Sequence, residues 1–295
     1  MTTDTSSSTG RPADGDFPLG GDLRINRLGF GAMRLAAGTF SGPARDPGTG
    51  IAVLRRAVEL GVNHIDTAGF YARGDVRANE LIRAALAPYP EDLLIATKIG
   101  PLPGPDGIPS GQATPDQLRA LLENDLRELG VDRLGLVYLR IGGMAVPGGE
   151  SLAERFSVLA GLREEGLIRH LGVSNVDAAQ LAEARAVAPV AAVQNHFHVH
   201  HTGDAALLAE CAAAGIAYVP FFPLGGGNSP LDEARLGQVA ARHGATAAQV
   251  ALAWLLAISP ALLAIPGTGS LAHLEENVAA SGIVLTDADL AELNG

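Results

Sequence analysis

Lysine is nearly absent from this chain. Lys98 is the single lysine among 21 basic residues, and all the others are arginine. The two cations are not equivalent: lysine is a compact point charge that shifts its pKa when buried, whereas arginine is a planar, permanently charged fork. A sequence that has replaced lysine everywhere else has kept one position where arginine does not serve. The alternative is arginine-biased coding with a leftover surface lysine. Lys98 ends the apolar run Leu93-Leu94-Ile95-Ala96-Thr97, which reads as a buried strand.

Other shortages set limits too. One cysteine, Cys211, excludes an internal disulfide and fits a reducing cytoplasm. It sits in an alanine-rich helical stretch and reads as a core residue rather than a nucleophile. Positive charge is scarce: the net charge of −11 lacks the basic footprint of a nucleic-acid binder. Local arginines can still hold a small anion. The N-terminal stretch MTTDTSSSTGRPADGD has no apolar run, so it reads as neither a signal peptide nor a membrane span. Residues 1–16 are expected to be a disordered tail, with one folded domain over 17–295.

From residue 28 onward, strand-like and helix-like segments alternate. Eight apolar strand candidates stand out: 28–33, 62–66, 93–98, 134–140, 168–174, 191–194, 216–221 and 262–266. Amphipathic stretches lie between and after them at 48–60, 76–87, 115–129, 151–165, 177–187, 204–214, 234–257 and 270–281. Thr114-Pro115 is a helix start, and Gly61, Gly130, Gly166 and Gly215 follow helices as left-handed stops. Eight βα units predict an α/β fold, a (β/α)8 TIM barrel, rather than an open doubly wound sheet. Gly29-Phe30-Gly31-Ala32-Met33 does not match the G-x-G-x-x-G phosphate fingerprint such a sheet would carry. Residues 17–28, with Gly20-Gly21 at their turn, are expected to form a hairpin that plugs the barrel bottom.

Function in such a barrel lies at the C-terminal strand ends. There the sequence places Gly31-Ala32-Met33, Asp66, Lys98, Arg140, Ser174-Asn175, Gln194-Asn195, Phe221 and Gly267-Thr268-Gly269-Ser270, with Tyr71 in the loop after Asp66. An ammonium beside a tyrosine hydroxyl favours the ionised phenol, and a carboxylate keeps that ammonium charged. Tyr71 could then give a proton to a carbonyl oxygen and take it back in reverse.

The segments VNHIDTAGFY (62–71), IATK (95–98), GVSN (172–175), VQN (193–195) and IPG…HLEEN (265–277) resemble the aldo-keto reductase superfamily over about residues 17–295. VRANELIRAAL (76–86), VYLRIGG (137–143), GLIRHLGVSN (166–175) and IAYVPFFPLGG (216–226) look closest to its bacterial pyridoxal reductase branch. The resemblance implies a catalytic set of Asp66, Tyr71 and Lys98, with Tyr71 as general acid and Arg140 where most members have histidine. It places Ser174, Asn175 and Gln194 at a nicotinamide carboxamide and Phe221 against the ring. Gly31, Ala32, Met33, Leu224, Gly267, Thr268, Ser270, His273, Glu276 and Asn277 fall along the rest of the dinucleotide. The implied activity is reduction of a small aldehyde or ketone by NADPH, pyridoxal included, with NADH as the alternative cofactor. A biosynthetic ketoreductase and a nucleotide-sensing barrel are the alternative functions. Many NADPH-using members carry a cation near the cofactor's 2′-phosphate, where this chain has Gly267 and His273.

Two features remain. His196, His198, His200 and His201 form a dense cluster in which 196, 198 and 200 would share one face of an extended segment as a metal site, but no carboxylate or thiolate lies among them, and a loop lining the site mouth is the better reading. No metal is expected. The glycine- and proline-rich stretches 102–111 and 142–149 follow strands 3 and 4 and read as pocket walls.

Overall fold

The computed structural model describes residues 15–39, 42–103, 109–143, 147–227 and 233–294. Most of the expected tail, and positions 104–108 and 144–146 of the two expected pocket walls, lie outside the described residues. Asp16, assigned to the tail from sequence, opens the first strand instead.

Seven short strands lie in chain order in one parallel sheet: Phe30–Gly31, His64–Asp66, Leu94–Ile99, Leu134–Arg140, Ile168–Ser174, Ala192–Gln194 and Ala217–Tyr218. The expected eighth strand, 262–266, closes the ring through single bridges, Leu262 to Tyr218 and Ala264 to Leu28. Backbone bonds reach both neighbours, Leu263 N to Tyr218 O at 2.9 Å and Gly29 N to Ala264 O at 2.8 Å. Flanking Pro260 and Pro266 lack N–H groups, which keeps a continuous ladder from forming there. The barrel predicted from sequence is thus closed, with five of its strands shorter than the apolar runs that suggested them.

The helices follow the predicted stretches with two corrections. The expected helix at 234–257 is two helices, Glu233–His243 and Ala247–Ile258. Gly244 takes a left-handed backbone, and Thr246 caps the second helix by accepting from Gln249 N while the Gln249 side chain accepts from Thr246 N. A C-terminal helix, Asp287–Asn294, was not expected; Trp254 Nε1 donates to Asn294 Oδ1 at 2.9 Å. The four glycines read as helix stops all have positive φ. Among the described residues, no helix is long and apolar enough to cross a membrane.

Strand side chains alternate, so each strand sends one set into the barrel and one toward the helices. The outer set builds a large core against the helices. The inner set, including Leu94, Ala96, Leu136, Tyr138, Ala192 and Leu263, forms a separate cluster with Phe17, Leu19 and Ile25. Those three belong to the hairpin Asp16–Leu19 and Leu23–Asn26, turned by Gly20 and Gly21 at positive φ. The hairpin therefore plugs the barrel floor. Asp22 anchors it, accepting from Arg169 Nη2 at 2.8 Å and pairing with His170 Nε2 at 2.7 Å. Gly172 leaves room for the Tyr138 ring: a Cβ there would lie 2.6 Å from it.

Ile25 is fully buried in the plug. Ile25→Ala should cost about 2–5 kcal/mol of stability by loss of buried surface and the cavity left behind. Urea unfolding followed by circular dichroism measures it.

Candidate active site

The pleat that sends Leu94 and Ala96 inward sends Lys98 inward as well, one layer higher, at the top of its strand. Asp66 arrives the same way from the neighbouring strand. Lys98 Nζ donates to Asp66 Oδ1 at 2.5 Å and to Thr67 O at 2.9 Å, and both side chains are at most 3% exposed. The leftover-surface-lysine alternative is thereby excluded. The Tyr71 ring lies against this pair, its centroid 4.8 Å from Nζ. Burial alone pulls the lysine pKa down, but the Asp66 carboxylate and the Tyr71 hydroxyl outweigh it, so the ammonium is held above its ordinary range.

The other carboxylate oxygen of Asp66 accepts from Gln194 Nε2 at 2.8 Å. Arg140 Nη1 donates to Ser174 Oγ at 3.0 Å and Nη2 to Gly143 O at 2.8 Å, and the guanidinium lies 4.7 Å from the Phe221 ring centroid. Burial lowers the Arg140 pKa, and Tyr71 and Asp66 oppose the shift. Asn175, at φ 59°, donates its side-chain amide to Ile141 O at 2.9 Å. The expected strand-end residues Asp66, Lys98, Arg140, Ser174, Asn175 and Gln194 therefore meet in one polar layer roofing the barrel interior.

The histidine segment is not an extended ladder. A bridge joins His198 to His201, turning the chain between them, and His196 stacks on His201 at 4.1 Å and on Phe221 at 5.4 Å. Among the described residues, no group of three His, Cys, Asp or Glu side chains could hold a metal ion. Cys211 is buried, its thiol pushed up to about 12 by burial, and so is inert as a nucleophile.

A cleft of about 380 Å³ opens beside this layer. Gly31, Met33, Asp66, Tyr71, Phe221, Leu224, Gly267 and Thr268 line it as expected from sequence. Gly31 and Gly267 sit back to back: a Cβ on Gly267 would lie 2.4 Å from Gly31 O. Ala32 donates its N–H to Asp66 O at 2.8 Å and positions the loop beside the cleft. Ser174, Asn175 and Gln194 belong to the polar layer and do not line the cleft, and four expected residues further along the chain also stand apart from the lining. Ser270 caps the helix Leu271–Ala279, accepting from His273 N, while Asn277 is buried in that helix. His273 is exposed. Glu276 turns to the neighbouring helix, accepting from Thr246 Oγ1. Spacing along the helix could not tell which of its faces meets the cleft. Sequence reasoning missed Arg34 and Arg45, which also line the cleft. Two arginines in the loop after strand 1 were the available signal.

Behind the lysine runs a second polar chain. Thr97 Oγ1 donates to Asp125 Oδ2 at 2.5 Å, Asn79 Nδ2 to Asp125 Oδ1 at 3.2 Å, and Thr67 Oγ1 to Asn79 Oδ1 at 2.8 Å. A Cβ on Gly69, two residues before Tyr71, would lie 2.3 Å from Asp125 Oδ1. Asp125 thus braces the loop that presents Thr67 and Tyr71. Burial pushes its pKa up to about 7, against the hydrogen bond from Thr97.

A closed parallel barrel with a buried ion pair and a tyrosine at its C-terminal strand ends has the architecture of a barrel enzyme. Comparison with known proteins narrows this class. The Aldo/keto reductase family profile matches residues 27–295. Pyridoxine 4-dehydrogenase of Escherichia coli strain K12 is 47% identical over 277 residues, 93% of this chain and 96% of that one. The crystal structure of the thermostable aldo-keto reductase Tm1743 with the inhibitor epalrestat superposes with a TM-score of 0.80 at 30% identity, covering 95% of this chain and 98% of that one. An aldo-keto reductase of Klebsiella pneumoniae in complex with NADPH gives 0.78 at 27% identity, covering 95% and 93%. The chain belongs to the aldo/keto reductase family.

Asp125 yields a pH test. Its folded pKa lies above that of an unfolded carboxyl, so the folded chain binds this proton more tightly. The stability it contributes is complete below about pH 4 and is lost progressively as the pH rises to about 7. Asp125→Asn keeps an acceptor for Thr97 and should remove that loss. Its stability relative to the parent should therefore increase between pH 5 and pH 7 in urea unfolding. A pH-independent difference would mean that the carboxyl does not titrate in this window.

Proposed function

We propose that this protein reduces a small aldehyde or ketone to an alcohol with NADPH, and that its substrate is pyridoxal. The observation that carries the reading is the sole lysine, buried between Asp66 and the Tyr71 ring, both of which line the cleft. The cleft suits a dinucleotide. Gly31 and Gly267 bring backbone to its wall with no side chain in the way, and Thr268 and Gly269, which line one end, lead directly into the helix that starts at Leu271. Phe221 would lie against the nicotinamide ring, with Ser174, Asn175 and Gln194 at its carboxamide. Gly31, Ala32, Met33, Leu224, Gly267, Thr268 and Ser270 would follow the remainder. Bound there, the cofactor supplies the hydride.

The chain's own groups manage the proton. Tyr71 donates it to the carbonyl oxygen as negative charge develops there. Lys98 favours the phenolate left behind, and Asp66 keeps Lys98 charged and aimed. Arg140 remains a cation near neutral pH and cannot be a general acid. Fixed by Ser174 and Gly143, it polarises the carbonyl and attracts the ionisable ring hydroxyl of pyridoxal. The 47% identity to a pyridoxine 4-dehydrogenase supports that substrate. The lone buried thiol supports a cytoplasmic location.

Purified protein mixed with NADPH and pyridoxal should consume the nicotinamide absorbance. Tyr71→Phe should lower kcat by about 10²–10⁴-fold without weakening NADPH binding. Lys98→Arg should remove most turnover while the barrel stays folded, and near-normal activity would sink the proton-transfer reading. Cofactor binding without turnover on any carbonyl would identify a nucleotide sensor instead. Arg140→His should lose more activity on pyridoxal than on benzaldehyde; an equal loss would remove the ring-hydroxyl role.

A further inference from the structure

The loop after the eighth strand closes one end of the cleft, and it contains no cation. Position 267 has no room for one, because even a Cβ there would lie 2.4 Å from Gly31 O. His273 is exposed, and its backbone N–H is taken by Ser270. Yet an arginine from the opposite wall reaches this loop. Arg45 Nη1 approaches Gly269 O at 3.5 Å, and a Cβ on Gly269 would lie 2.2 Å from the same nitrogen. Gly38 allows an equally close pass, with a Cβ only 3.0 Å from Arg45 Nη2. Arg45 Nε is buried and donates to nothing. A guanidinium is threaded between two glycines to a helix start, at the cost of an unused donor.

The order of charges along the cleft indicates what it meets there. Burial and the charge of Arg45 both lower the pKa of Arg34, whereas Tyr71 raises it. Arg34 therefore lies within electrostatic reach of both, and the three groups line one cleft. Outward from the reacting tyrosine the cleft presents Arg34, then Arg45 at the Gly269 carbonyl, beside the Thr268 hydroxyl and just before the start of the next helix. A dinucleotide laid with its nicotinamide at Tyr71 presents two anions in the same order, the diphosphate and then the phosphate on the adenosine ribose.

We propose that Arg45, from the loop after the first strand, is the cation that binds the 2′-phosphate and makes this enzyme select NADPH over NADH. The inference rests on the dinucleotide reading above and assigns its phosphate selectivity to one residue. An anion between Arg45 and the helix start gains charge-assisted hydrogen bonds from the guanidinium and the favourable end of the helix dipole. It also relieves the repulsion between the two arginines. NADH makes none of these contacts.

Direct binding to the purified protein tests this, by calorimetry with NADPH, NADH, adenosine 2′,5′-bisphosphate and AMP. Arg45→Ala should weaken NADPH and the bisphosphate by about ten- to a hundredfold, leaving NADH and AMP unchanged and the melting temperature near that of the parent. Arg45→Lys should restore much of the NADPH preference. An equal loss for NADPH and NADH would place Arg45 at the diphosphate and overturn the proposal, as would no loss for either. Failure of the parent protein to bind either dinucleotide would instead overturn the cofactor reading itself.

Discussion

The buried contact between Lys98 and Asp66 is the constraint on which the rest of the site depends. Two charges taken out of water are tolerated only when each is fully paired and hydrogen-bonded. The ammonium meets that condition with a carboxylate, a backbone carbonyl and the face of a phenol. The carboxylate meets it with the ammonium on one oxygen and the Gln194 amide on the other. Strands 2, 3 and 6 are thus joined by three side chains, the ion pair and the Gln194 amide. The pair also fixes where Tyr71 can lie, because the loop carrying it is braced from behind by Asp125 through Thr97, Asn79 and Gly69.

A second constraint is steric. Where the barrel closes between its first and last strands, a side chain on Gly267 would strike Gly31 O and one on Gly31 would strike Ile265 O. This close approach opens the cleft beside Asp66 and Tyr71. It also denies the eighth-strand loop a cation at position 267, so positive charge reaches that end of the cleft from Arg45 on the first loop. Packing at the barrel seam and electrostatics of the cleft therefore have one origin.

Much of this was legible in the sequence. Eight apolar runs separated by amphipathic stretches indicated the barrel, and the glycine-turned hairpin indicated the plug. Their physical signals are local: alternation, caps and left-handed stops. The exceptions are equally physical. Strand 8 shrank to bridges between its prolines, and Thr246 divided an apparent long helix by capping its second half. Glu276 follows the expected motif yet turns toward Thr246, because helix periodicity fixes a face only relative to its neighbours.

The sequence by itself determined which residues stand at strand ends, since a period of two and a few turn residues settle that along the chain. It also marked one lysine as different from every other cation. Only the tertiary structure decided what that lysine touches, which strand-end groups spend their hydrogen bonds on one another, and that Arg45 crosses to Gly269, 224 residues away. Such contacts join segments distant in the chain, and barrel closure, rather than local preference, brings them within ångströms.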